Sequence, residues 1–144
     1  MKVSECMTPE VQIANPDETM RDAARSMAEI DAGFLPVGEN DRLIGIITDR
    51  DIAIRGVALG LKPDTTIREV MTEEVEYCFE DEDVDEVLES MAGFQIRRLP
   101  VLTREKRLVG VVSISDIAGN GQEAHAGGAL REISRKSALH SQTA

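Results

Sequence analysis

The chain has 144 residues, 42% of them hydrophobic and 30% charged, with a formal net charge of −11, a composition that fits one globular domain and neither a disordered nor a fibrous chain. The acidic excess speaks against DNA or RNA as a partner, because nucleic-acid phosphates need a basic surface. No apolar run approaches the roughly 18 to 20 residues that span a bilayer. The start Met1-Lys2-Val3-Ser4-Glu5 lacks the layout of a signal peptide, so no membrane is expected and a cytoplasmic location is.

Along the chain, an extended segment near Val11 to Ala14 leads to Thr19. From there Met20, Ala23, Ala24, Met27 and Ile30 follow the spacing of one helix face. Thr19 with Asp22 has the pattern of an N-cap with an acid three residues on. Two short apolar runs come next, Phe34 to Val37 and Leu43 to Thr48, separated by Glu39-Asn40-Asp41, so they read as adjacent strands. Pro36, like Pro100 later in the chain, lacks an amide hydrogen and is expected at a sheet edge or strand start. A shorter helix should open at Asp51, and Gly60 to Thr66 breaks both helix and strand.

The same order then recurs. The block from Val3 to Gly56 returns about 64 residues later as Ile67 to Gly121, with Met7-Thr8 matched by Met71-Thr72 and Leu35-Pro36-Val37 by Leu99-Pro100-Val101. Val84, Val87, Leu88, Met91 and Phe94 form the second helical stripe behind the cap pattern of Asp83 and Glu86. Leu99 to Leu102 and Leu108 to Ser113 form the second strand pair. The acidic run Glu80 to Asp83 lies at a helix start, where the dipole stabilises negative charge, and reads as a solvated helix end. The expected domains are therefore 1–60, 61–121 and a flexible tail over 122–144. Each copy of roughly 55 to 60 residues is marginal alone, so one shared core is expected. Cys6 and Cys78 fall at non-equivalent positions and read as buried, reduced thiols.

Chemistry is concentrated where each copy's last strand ends. Gly45-Ile46-Ile47-Thr48-Asp49-Arg50-Asp51 becomes Gly110-Val111-Val112-Ser113-Ile114-Ser115-Asp116. The Thr48 or Ser113 hydroxyl can donate to a phosphate oxygen, while Asp51 or Asp116 offers acceptors for the paired hydroxyls of a ribose. Arg50 and Arg55 supply cations in the first copy, and Arg97 and Arg98 in the second, so the two sites are chemically unequal. The competing reading is that hydroxyl and carboxylate merely cap a helix. Catalysis finds little support, since both histidines, His125 and His140, lie in the expected tail and offer neither a placed base nor a metal site.

With its repeated Met-Thr starts, Leu-Pro-Val runs and glycine-to-aspartate motifs, the stretch from Val3 to about Gly121 resembles the CBS-domain pair, or Bateman module, of the small stand-alone type. That resemblance implies an α/β (α+β) fold of two strand-helix-strand-strand-helix motifs related by a pseudo-twofold axis, pairing into a homodimer. It also implies an adenosine-containing ligand, AMP, ADP or ATP, with NADH and S-adenosylmethionine as alternatives. The ribose role falls on Asp51 and Asp116, the phosphate role on Thr48 and Ser113, and base contacts on the backbone at Leu35 and Leu99. The expected function is regulatory or energy-sensing and not enzymatic, needs no obligatory cofactor, and signals through a separate protein partner. The rival is a ligand-free structural or stress-response dimer with Cys6 or Cys78 responding to oxidation.

Overall fold

The computed structural model describes residues 1–9 and 11–134. Its elements in chain order are a 3-10 turn at Val3–Glu5, β1 (Thr8–Pro9), α1 (Met20–Ile30), β2 (Phe34–Glu39), β3 (Arg42–Thr48) and α2 (Asp49–Asp51), which runs on into a π-helical turn at Ile52–Val57. There follow α3 (Ile67–Val70), β4 (Cys78–Phe79), α4 (Val84–Phe94), β5 (Arg98–Leu102), β6 (Leu108–Ser113), α5 (Ile114–Ala118) and α6 (Glu123–Ile133). The fold is mixed α/β, built twice on one plan.

The chain forms two compact units that cut across the linear repeats. Among the described residues, one comprises Met1–Pro9, Tyr77–Arg104 and those from Val109 to Ser134; the other comprises those from Val11 to Glu76 with Glu105–Leu108. In the first unit the sheet runs β1-β6-β5-β4, with Thr8 opposite Val111 and Cys78 parallel to Val101. In the second, the β2–β3 hairpin is flanked by Thr72 antiparallel to Ile46 and by Ala14 parallel to Val37. The two sheets therefore share one order and register. In each, an edge segment comes from the start of the other sequence repeat.

Each unit has its own core, in place of the single shared one expected. Val3, Val87, Met91, Leu99, Val112 and Ile117 are among the buried residues of one cluster, and Met20, Met27, Leu35, Val37, Ile47 and Ile67 of the other. The reason is that each sheet already has its own helix stripe: Met20, Ala23 and Met27 from α1, and Val84, Val87, Leu88 and Met91 from α4. The last members of the two stripes, Ile30 and Phe94, stay exposed at 43% and 53%. Both helices end in a left-handed residue at equivalent positions, Asp31 (φ 54°) and Gln95 (φ 55°).

Thr19 and Asp22 form a reciprocal capping box, and the bond from the Thr19 amide holds the Asp22 carboxyl below its usual range. Asp83 caps α4 differently, accepting from the Asp85 amide at 2.9 Å without a return bond from Glu86. Within the acidic run, Asp81 instead accepts from Arg104, whose guanidinium also lies 4.2 Å from the Phe79 ring centroid. Asn40 (φ 54°) and Asp41 (φ 63°) make the two-residue turn of the β2–β3 hairpin.

Two further expectations are corrected. Pro36 and Pro100 lie within β2 and β5, which have neighbours on both sides. Pro36 is tolerated because its partner Ile46 directs both its amide and its carbonyl to Thr72, so β3 requires no donor from the proline. The tail expected from residue 122 is helical over Glu123–Ile133 and packs on α4 and α5; residues 135–144, including His140, lie outside the described residues. Ala126 and Ala129 are buried there, and the Gln95 side chain donates to the Glu132 carbonyl at 3.1 Å. Burial of that narrow alanine face outweighs the poor helix propensity of Gly127 and Gly128. A Cβ at either glycine would meet nothing within 4 Å. Gly127→Ala and Gly128→Ala should therefore each stabilise the protein by about 0.5 to 1 kcal/mol in chemical denaturation.

Candidate functional site

At the end of β3, Thr48 is extended and caps α2. Its hydroxyl accepts from the Asp51 amide at 3.0 Å, and the Asp51 carboxylate accepts from the Thr48 amide at 3.1 Å. The capping role is thus realised in full. The carboxylate does more, however, because the Thr72 hydroxyl donates to it, 3.2 Å from Oδ1 and 3.3 Å from Oδ2. Thr72 is brought there by its backbone pair with Ile46, whose two bonds measure 2.8 and 2.9 Å. Arg55 Nη1 donates to the adjacent Met71 carbonyl at 3.0 Å. A carboxylate has about four lone-pair positions, so Asp51 keeps acceptor capacity for a pair of hydroxyls. Thr48, Asp51 and Thr72 are half-buried, and Arg50 is exposed.

The equivalent place in the other unit repeats the capping box and little else. Ser113 Oγ accepts from the Asp116 amide at 3.1 Å, and Asp116 Oδ2 accepts from the Ser113 amide at 3.0 Å. Thr8, the counterpart of Thr72, pairs with Val111 but is exposed, and its hydroxyl makes no bond to Asp116 among the described residues. Asn120 stands where Arg55 does and donates to the Asp116 carbonyl at 2.7 Å. Arg97 and Arg98 are exposed, and Arg97 offers its carbonyl to the Ile114 amide at 2.9 Å. In the first copy Gly33 takes that place and bonds the Asp49 amide at 3.0 Å. Asp49, whose carboxylate accepts from the Arg50 amide at 2.8 Å, has Ile114 as its counterpart, so the acid two residues before Asp51 is not repeated before Asp116.

Leu35 and Leu99 are each 1% exposed, so their side chains belong to the cores and only their backbone is available to a ligand. Thr72 was missed from sequence, although the repeated Met-Thr pairs were the signal that could have found it. Cys6 and Cys78 are buried free thiols. Burial, helped by Glu82 and Cys6, pushes the Cys78 thiol up to about 12, and burial followed by the Asp116 charge raises Cys6. Thiols held protonated in this way are poor nucleophiles, which disfavours a redox-responsive role.

Two α/β units, each with a hydroxyl and a carboxylate at a strand-to-helix junction, define a tandem pair of like domains. The chain belongs to the CBS-domain family, whose model matches residues 3–56 and 67–122. Hypoxic response protein 1 of Mycobacterium tuberculosis is 43% identical over 114 residues, 78% of this chain and 79% of that protein. The uncharacterised YlbB of Bacillus subtilis is 38% identical over 136 residues, 92% of this chain and 91% of its own. Among solved structures, Hypoxic Response Protein I with two coordinated zinc ions is similar at a TM-score of 0.76 and 40% identity, over 83% of this chain and 98% of that one. The CBS pair of MJ0100 in complex with 5′-methylthioadenosine and S-adenosylmethionine gives 0.74 and 30%, over 86% and 98%. PAE2072 of Pyrobaculum aerophilum, complexed with AMP, gives 0.71 and 26%, over 81% and 89%. Among the described residues of this chain, no group of three or more His, Cys, Asp or Glu side chains is placed to hold a metal ion, and none of their helices is long and apolar enough to cross a membrane.

Proposed function

We propose that this protein is a non-catalytic, cytoplasmic CBS-pair regulator that binds adenine nucleotides as a homodimer and passes the bound state to a separate protein partner. The observation that carries the reading is the doubled junction of hydroxyl and carboxylate, in which Asp51 retains acceptor capacity after its capping and Thr72 bonds are made. The AMP of PAE2072 and the methylthioadenosine and S-adenosylmethionine of MJ0100 supply the ligand class. Thr48 and Ser113 serve the phosphate, Asp51 and Asp116 the ribose, and the backbone at Leu35 and Leu99 the base. Arg50 serves the phosphate near Asp51, and Arg98 with Arg97 serves the phosphate near Asp116, so the two unequal sites should differ in the phosphate length they prefer. A bound nucleotide shifts the protein between arrangements only by its differential affinity for them.

Thermal unfolding with AMP, ADP, ATP, NADH and S-adenosylmethionine tests the proposal. Ligand at 100 times its dissociation constant adds about 2.7 kcal/mol, which for a chain of this size raises the midpoint by about 5 to 10 °C. If none of the five moves the midpoint, the nucleotide reading fails.

A further inference from the structure

We propose that Thr72 is the residue that positions the Asp51 carboxylate for a ligand diol, and that the Asp51 site consequently fills before the Asp116 site. The inference rests on the nucleotide reading above and names what distinguishes its two sites. The Asp51 carboxylate is restrained by two donors, the Thr48 amide at 3.1 Å and the Thr72 hydroxyl at 3.2 and 3.3 Å. Those bonds limit its rotation and leave its remaining lone pairs in one orientation. Thr72 is itself fixed, because both its amide and its carbonyl pair with Ile46, Arg55 holds the preceding carbonyl, and a β-branched side chain is stiff about χ1. An acceptor ordered before the ligand arrives loses less conformational freedom on binding.

The other unit provides the internal comparison. Thr8 occupies the same register against β6 that Thr72 occupies against β3, and Gly110 admits Met7-Thr8 as Gly45 admits Met71-Thr72. The Thr8 hydroxyl is nevertheless exposed and not bonded to Asp116, and Asn120 bonds within its own helical turn where Arg55 reaches the edge segment. The backbone frame is shared, and the preorganised carboxylate belongs to Asp51.

Calorimetry with AMP on the full chain tests this, using Thr72→Val, Thr72→Ser, Thr8→Val, Asp51→Ala and Asp116→Ala. Thr72→Val should weaken the tighter AMP site by about five- to twentyfold, Thr72→Ser should return it to within about threefold, and Thr8→Val should leave it unchanged. With 2′,3′-dideoxyadenosine monophosphate, which has no diol, wild type and Thr72→Val should bind alike; a merely structural loss would weaken both ligands equally and overturn the positioning role. Wild-type AMP affinity in Thr72→Val, alongside lost affinity in Asp51→Ala, would also overturn it while sparing the site. Loss of the tighter site in Asp116→Ala and not in Asp51→Ala would overturn the order of filling. Unchanged AMP binding in both aspartate variants would instead remove the underlying assignment of those residues.

Discussion

Gly45→Val should lower the unfolding free energy by about 2 to 3 kcal/mol. A Cβ at Gly45 would lie 2.7 Å from the Thr72 carbonyl oxygen and 3.0 Å from Met71 Sδ. The oxygen is backbone and accepts from the Ile46 amide at 2.9 Å, so it cannot retreat without breaking the edge pairing. Met71 is 5% exposed and belongs to the buried cluster of its unit. Gly110→Val meets the same obstacle in the other unit, with Thr8 O at 2.6 Å and Met7 Sδ at 2.9 Å. Gly93→Ala is the control, since a Cβ there meets nothing within 4 Å; it lies inside α4 and should stabilise. Urea midpoints report all three variants, and a Gly45→Val midpoint equal to wild type would show that the edge segment does not pack against β3 as described.

Asp51→Ala should weaken AMP binding by about 10- to 150-fold, the equivalent of losing a charged hydrogen-bond acceptor worth roughly 1.5 to 3 kcal/mol. The same substitution removes the capping box with Thr48, so stability should fall by about 1 kcal/mol as well. Asp51→Asn separates the two effects. An amide oxygen still accepts from the Thr48 amide and keeps most of the cap, but the site loses its charge and part of its acceptor capacity. Affinity should therefore drop in both variants, and stability mainly in the alanine. Calorimetry and thermal unfolding on the two variants give the answer, and a loss of stability without loss of affinity would reduce Asp51 to a helix cap.

The repeat makes much of the architecture legible in the sequence. Thr19 and Asp22 announced a helix start and form one; the apolar runs from Phe34 and Leu43 pair as a hairpin, as do their counterparts in β5 and β6. Each of these signals is local, set by the period of a helix or strand and by which side chains can reach a neighbouring amide. The same locality explains the misses. α6 has the sequence character of a tail because two glycines weaken its periodicity, and it is held by packing on α4 and α5 that no short window contains. The missing donor of Pro36 is visible in sequence and points to a sheet edge or strand start, whereas the direction of the Ile46 hydrogen bonds that accommodates it inside β2 is not visible there.

At the site, the paired hydroxyl and carboxylate of Thr48/Asp51 and Ser113/Asp116 are legible in the residues alone, because three-residue spacing at a strand end is enough to close a capping box. Tertiary structure alone decided that Met7-Thr8 lies against β6 and Met71-Thr72 against β3, crossing the repeats. It also decided that one of those threonines reaches its aspartate and the other does not. The physical reason is that strand pairing between distant segments is selected by complementary backbone bonds and by the absence of a Cβ at Gly45 and Gly110, and neither leaves a periodic trace along the chain.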